Sequence, residues 1–270
     1  MKKFKSLITL SVIILTALIS LNAQSKSKDN KLTKIVLKTI QKTLILEPVK
    51  YANNKEKAIL CVIPTKDDKD VPGSIWIILN QNSYYQKVIG NSITSMSIVN
   101  QVKVSSNSKY LAVTSVGEGN LILEIFDLQM LLNNKKVKTI IEINPHPGYI
   151  GIIEWSKDKL IIESDILLTH TSNGKFKHYD NRLTLEKHEL FYLDIRTKKI
   201  TPKNQILKTP VKYYSNLLNR KNHTTRLKAI EALKILKSHL AVPYLQKALK
   251  NEKNLRVKEE LKNAIKSLKK

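Results

Sequence analysis

Apolar and polar positions follow two periods along this chain, and the change falls near residue 200. From about 57 to 200, short apolar runs are separated by Asn, Gly, Ser or Asp clusters, the pattern of β-strands. The predicted strands are Ala58–Ile63, Ser74–Leu79, Ile98–Val104, Tyr110–Thr114, Leu121–Leu128, Lys138–Ile143, Ile150–Trp155, Lys159–Ile162 and Glu189–Ile195. A charged loop, Lys66 to Asp70, is closed by Pro72-Gly73. Residues 35–50 stay unassigned, because Leu32, Ile35, Val36 and Ile40 fit a helix face while Leu44 to Leu46 fit a strand. From about 211 the spacing turns helical, and Pro202 and Pro210 frame a predicted linker over 201–210.

The N-terminus has a different character. Lys2, Lys3 and Lys5 precede an uncharged run from Leu7 to Leu21, with a small residue, Ala23, shortly after. That is the pattern of a secretory signal peptide, expected over 1–24. The run is shorter than the roughly 20 residues a membrane span needs. Residues 25–56 form a leader of unassigned structure that opens on a polar, basic stretch. The expected location of the mature chain is the periplasm or the exterior, soluble or peripheral to a membrane.

Repetition narrows the architecture. Val102 to Val113 reads as a strand, a polar turn and a second strand, with Leu123–Leu128 as a third. Ile152 to Ile162 and then Glu189–Ile195 repeat this arrangement, Ser156 following Ser105 by 51 residues. These segments resemble β-propeller blades of the WD40-like or TolB-like type. Asn107-Ser108 replaces the Asp-Gly turn of that pattern. Residues 57–200 have room for no more than three blades, and a closed propeller needs at least four. An open or partial propeller-like stack, or a twisted antiparallel β-domain, is therefore expected. Its open edge needs cover from residues 35–56, from the helices or from another chain.

A second repeat lies in the helical part. Thr225 to Leu236 aligns with Val257 to Leu268 at a shift of 32, pairing Ala229 with Leu261, Ala232 with Ala264 and Leu236 with Leu268. Between them lies Leu240-Ala241-Val242-Pro243-Tyr244-Leu245. Together these resemble short HEAT repeats of the phycobilisome-lyase-like kind, with Ser238-His239 in place of that family's Gly-Asp. The fold class expected is α+β, multi-domain: an antiparallel partial propeller-like β-domain over 57–200, then a HEAT-like helical domain over 211–270.

Composition removes several chemistries. One cysteine, Cys61, excludes an internal disulfide framework and a multi-cysteine metal site. Seven glycines in 270 residues argue against many tight turns. No phosphate-cradling glycine loop occurs, and Gly117 to Ile122 reads as a hairpin turn. No cofactor and no metal site are expected. Asn144 to Tyr149 reads as a rigid turn between strands. The densest cluster of titratable residues is His170, His178, Asp180 and His188, a candidate binding insertion within 165–189.

Net charge changes the picture most. The total is +25, and residues 201–270 hold 18 Lys+Arg against 4 Asp+Glu. Lys258, Lys262, Lys266 and Lys269 recur at helical spacing and form a basic stripe beside the apolar face. The resemblance to two repeat families implies a non-catalytic binding or scaffolding role in the cell envelope. The expected partner is a protein or an anionic component, a glycolipid or an acidic lipid surface, and export disfavours nucleic acid. Self-association is a further way to cover an open β edge. The alternative is a hydrolase, or its regulatory subunit, with a site near 165–189.

Overall fold

The computed structural model describes residues 45–50, 57–66, 72–80, 86–91, 94, 98–117, 119–133, 137–168 and 182–269. The predicted signal peptide, most of the leader, and His170, His178 and Asp180 lie outside the described residues. The chain divides into a unit of Met1–Leu46 and a unit of Glu47–Lys270. The second unit carries the sheets from Glu47 onward and all the helices described below.

Twelve described strands make three four-stranded sheets, each with its strands in chain order. The first contains β1 (Ile45–Lys50), β2 (Lys57–Lys66), β3 (Pro72–Asn80) and β4 (Gln86–Asn91). The second contains β5 (Ile98–Val104), β6 (Tyr110–Gly117), β7 (Asn120–Asp127) and β8 (Thr139–Ile143). The third contains β9 (Ile150–Ser156), β10 (Lys159–Ile166), β11 (Thr184–Asp194) and β12 (Lys199–Pro202). A four-stranded meander is the sheet of a propeller blade, and the described residues supply three. Three strands, β1, β4 and β12, fall where no strand was predicted. β12 ends on Pro202 inside the predicted linker, on the sheet edge where a residue without an N–H is tolerated.

The 51-residue period is a physical contact between successive sheets. Gln101 Oε1 on β5 accepts a hydrogen bond from the Ile152 N–H on β9 at 2.8 Å. Asn107 and Asp158, equivalent turn residues, are joined side chain to side chain at 3.2 Å. Trp155 Nε1 donates to the Lys103 carbonyl at 3.1 Å, and its ring stacks near Tyr110 at 6.0 Å. Glu47 on β1 likewise accepts from the Val104 N–H at 3.2 Å. The first strands of the sheets, β1, β5 and β9, are thus linked in series.

The two central strands of the middle sheet, β6 and β7, are buried on both faces. Ala112, Leu123, Ile125, Ile141 and Ile143 join one apolar cluster with Ile150, Ile152, Leu160, Ile162, Phe191 and Leu193 of the third sheet. Leu111, Val113, Ile122 and Phe126, which alternate with them along β6 and β7, are equally buried.

After β12 the chain makes a 3-10 turn, Gln205–Lys208, that buries Leu207. Helices α2 (Pro210–Leu217), α3 (His223–Ile235), α4 (Val242–Asn251) and α5 (Leu255–Leu268) follow, and a short α1 (Leu128–Leu132) leaves β7. Pro243 sits in the first turn of α4, where its missing N–H removes no helix bond. Helix α2 meets the start of β11: Tyr213 Oη accepts from the Glu186 N–H at 3.1 Å, and Tyr214 Oη donates to the Thr184 carbonyl at 3.2 Å. Ala229, Ala232 and Leu233 of α3, with Leu261, Ala264 and Leu268 of α5, belong to the same cluster as the third sheet.

Scarce glycine did not prevent tight turns. Ser108, Lys157, Lys198 and Lys237 take the left-handed conformation, with φ of 51°, 56°, 55° and 47°. Lys157 lies in the β9–β10 turn and Lys198 in the β11–β12 turn, while Lys237 terminates α3. A side chain in that region costs about 1–2 kcal/mol, part of which glycine returns through its freer unfolded chain. Lys157→Gly and Lys198→Gly should each raise unfolding free energy by about 0.5 kcal/mol. Denaturant midpoints check this, and a lower midpoint in both variants refutes it.

Candidate functional site

Helix α5 carries the basic stripe. The Asn254 side chain caps it, accepting from the Val257 N–H at 3.1 Å. Val257, Leu261, Ala264 and Leu268 are buried, which fixes the rotation of the helix about its axis. The 3.6-residue period then turns Lys258, Lys262, Lys266 and Lys269 onto an adjoining stripe, with Lys258 half-buried and the other three exposed.

The helical segment uses up most of its few acids. Glu231 pairs with Lys234 at 3.2 Å and with Arg182 at 3.9 Å, and Glu260 pairs with Lys234 at 3.7 Å. Glu252 is held by Arg226 at 2.8 Å. Among the described residues, Lys258, Lys262, Lys266 and Lys269 have no acidic partner within ion-pair distance. These four cations are therefore left unneutralised among the described residues.

The Arg226–Glu252 pair, absent from the sequence reading, is structural. Its side chains are only 14% and 7% exposed. Two parallel bonds of 2.8 and 3.0 Å join them. Arg226 Nη1 also donates to the carbonyls of Arg220 and Lys221 at 2.8 Å each. The clasp ties the turn before α3 to the turn before α5, beside a cleft of about 340 Å³ that Leu218 and Ala248 also line. With its donors committed, Arg226 has no free fork for an anion. Its equivalent at the shift of 32 is Lys258, which carries no such pair.

Of the candidate residues His170, His178, Asp180 and His188, only His188 is described. It lies exposed on β11, its ring stacked on Tyr149 at 4.5 Å. Tyr149 is locked in place: its hydroxyl donates to Glu163 at 3.0 Å and its N–H to Asp165 at 2.6 Å, while its carbonyl accepts from Ser164 Oγ at 2.7 Å. Burial, then Glu163, pushes the phenol pKa up, so Tyr149 remains a donor. Gly151 makes this possible, because a Cβ there would overlap the Tyr149 hydroxyl and crowd Glu163. Tyr149 thus serves the turn as a packed anchor. Among the described residues no group of three His, Cys, Asp or Glu side chains is placed to hold a metal ion.

No family model matches the chain, and no curated protein matches it. Among solved structures it is similar to an uncharacterised protein from Listeria monocytogenes, at 12% identity and a TM-score of 0.36, over 58% of this chain and 39% of that one. It is similar to TolB from Acinetobacter baumannii, at 12% identity and a TM-score of 0.35, over 59% and 31%. The acylaminoacyl peptidase of Pyrococcus horikoshii overlaps at 9% identity and a TM-score of 0.32, over 62% and 33%. The chain thus spans 31 to 39% of the length of these three proteins. Overlaps this loose assign no activity, substrate or partner.

The clasp has a pH signature. Burial alone raises the Glu252 carboxyl, but bonds from Arg226 and from the Asn254 and Lys253 N–H groups hold it below the usual carboxylate range. A lowered folded pKa gives stability that is present above the unfolded carboxylate pKa, about 4.3, and lost as pH falls through the folded value. Glu252→Gln should therefore cost about 2–3 kcal/mol near pH 7, with the gap to the wild type closing in acid below about pH 4. Urea unfolding of both proteins across pH checks this; a gap that does not change with pH refutes it.

Proposed function

We propose that this chain is an exported, non-catalytic binding or scaffolding protein that holds an anionic component of the bacterial cell envelope on its helical surface. The observation carrying it is the α5 stripe, four lysines left unpaired where Arg226 and Lys234 hold three of the four neighbouring acids. Export rests on the N-terminal pattern of Lys2, Lys3 and Lys5 followed by the apolar run to Leu21. Among the described residues no helix is long and apolar enough to cross a membrane.

The architecture supports the same reading. The three meanders read as a partial propeller-like stack. Helices α3 and α5, which pack against each other, read as successive HEAT-like first helices, with α4 between them in sequence. Repeat surfaces of both kinds are extended and offer many contacts without an enclosed reaction site. The hydrolase alternative rests on His170, His178, Asp180 and His188, of which only His188 lies among the described residues.

The test is co-sedimentation of the full chain with isolated cell-envelope fragments across a sodium chloride series. Wild type should bind at low salt and be released as salt rises. The variant Lys258→Gln, Lys262→Gln, Lys266→Gln and Lys269→Gln should bind about a hundredfold more weakly at low salt, with an unchanged circular dichroism spectrum. Equal binding by the folded variant removes the stripe from the function.

A further inference from the structure

We infer that the α5 stripe docks flat on an acidic lipid bilayer, with Leu255 entering the headgroup layer. This deepens the envelope-binding reading and rests on it. Leu255 is the first residue of α5, and it is 82% exposed. It precedes Lys258, Lys262, Lys266 and Lys269 by 3, 7, 11 and 14 residues. At about 100° per residue all five positions fall within roughly 80° of arc, on one line about 21 Å long. An isolated leucine on a surface is ordinary. A leucine heading a row of four unpaired lysines is an apolar anchor with cations spaced along the same face.

The residue types select the kind of partner. The stripe is all lysine, and Arg256 lies off it. An ammonium is a point charge on a flexible stem, suited to mobile phosphates, whereas a fixed carboxylate or phosphate in a protein groove favours the planar fork of arginine. The apolar stems can lie at the interface while the ammonium groups reach the headgroups. Glu259 borders the stripe, and Glu260 is drawn away to Lys234. Charge complementarity therefore favours an acidic lipid surface over an acidic protein.

The experiment uses the full chain with vesicles of phosphatidylcholine alone or with about a third phosphatidylglycerol. Neutral vesicles give the baseline from the apolar run Leu7 to Leu21. Binding above that baseline is expected on acidic vesicles only. Leu255→Ser should weaken it about tenfold and leave its salt dependence unchanged, since one leucine side chain is lost from the interface. The four-lysine variant should weaken it about a hundredfold and flatten the salt dependence. Leu255→Trp should shift its emission to the blue on acidic vesicles. Leu240→Ser, at a residue 74% exposed beside α4, should bind as wild type does. The proposal is overturned if Leu255→Ser binds acidic vesicles as wild type does, if Leu255→Trp shows no shift, or if Leu240→Ser loses as much binding as Leu255→Ser. If envelope binding still depends on the lysines in any of those cases, the broader function stands with an acidic protein or glycan as partner. If it does not, both fall.

Discussion

Six consecutive residues of β6, Tyr110 to Ser115, are buried, so the centre of the middle sheet is covered on both faces. A strand in that position needs a layer on each side, and the rest of the structure depends on supplying them. The third sheet provides one layer through Ile150, Leu160 and Phe191. Its apolar cluster runs on into α2, where Tyr213 and Tyr214 anchor to the start of β11, and through α3 to α5. Burial pushes both phenol pKa values up, so their hydroxyl bonds persist across the ordinary pH range. The helices, one of the covers expected for the sheet edge, are thus continuous with the sheet core.

Most of the strands were legible because they carry apolar runs with turn residues at each end. β5, β6, β7 and β9 fall close to their predicted positions, and the 51-residue period corresponds to the Asn107–Asp158 contact. The missed strands share a physical cause. β12 is four residues long and ends on proline, and β1 contains Pro48. These two and β4 all lie at sheet edges, where pairing is made by neighbours more than by propensity. The glycine count misled because left-handed turns went to serine and lysine, whose strain the surrounding contacts hold. At Ser108 those contacts are local: Ser105 Oγ accepts from both the Lys109 and Tyr110 N–H groups.

The site was less legible than the fold. The lysine stripe follows from spacing alone, since Val257, Leu261, Ala264 and Leu268 mark the face that must turn inward. What spacing omits is pairing. Arg226 and Lys258 are equivalent in the repeat, yet Arg226 is bound on every side and Lys258 is not. That difference lies in Glu252 and two backbone carbonyls, groups brought close by the turns before α3 and α5. The role of His188 was equally hidden, because its partner Tyr149 belongs to a different strand connection.

The same separation explains how a strongly basic segment can be stable. Like charges on one helix repel, but exposed lysines three and four residues apart are screened by water and salt, so each contact costs only tenths of a kcal/mol. The buried Arg226–Glu252 clasp and the apolar face of α5 are insulated from that repulsion. Stability and surface charge are therefore carried by different residues of one helix. The charge is free to answer to a partner, because removing it disturbs no buried bond. A stripe that the core needs could not be varied without loss of stability, whereas this one leaves the buried face of α5 untouched.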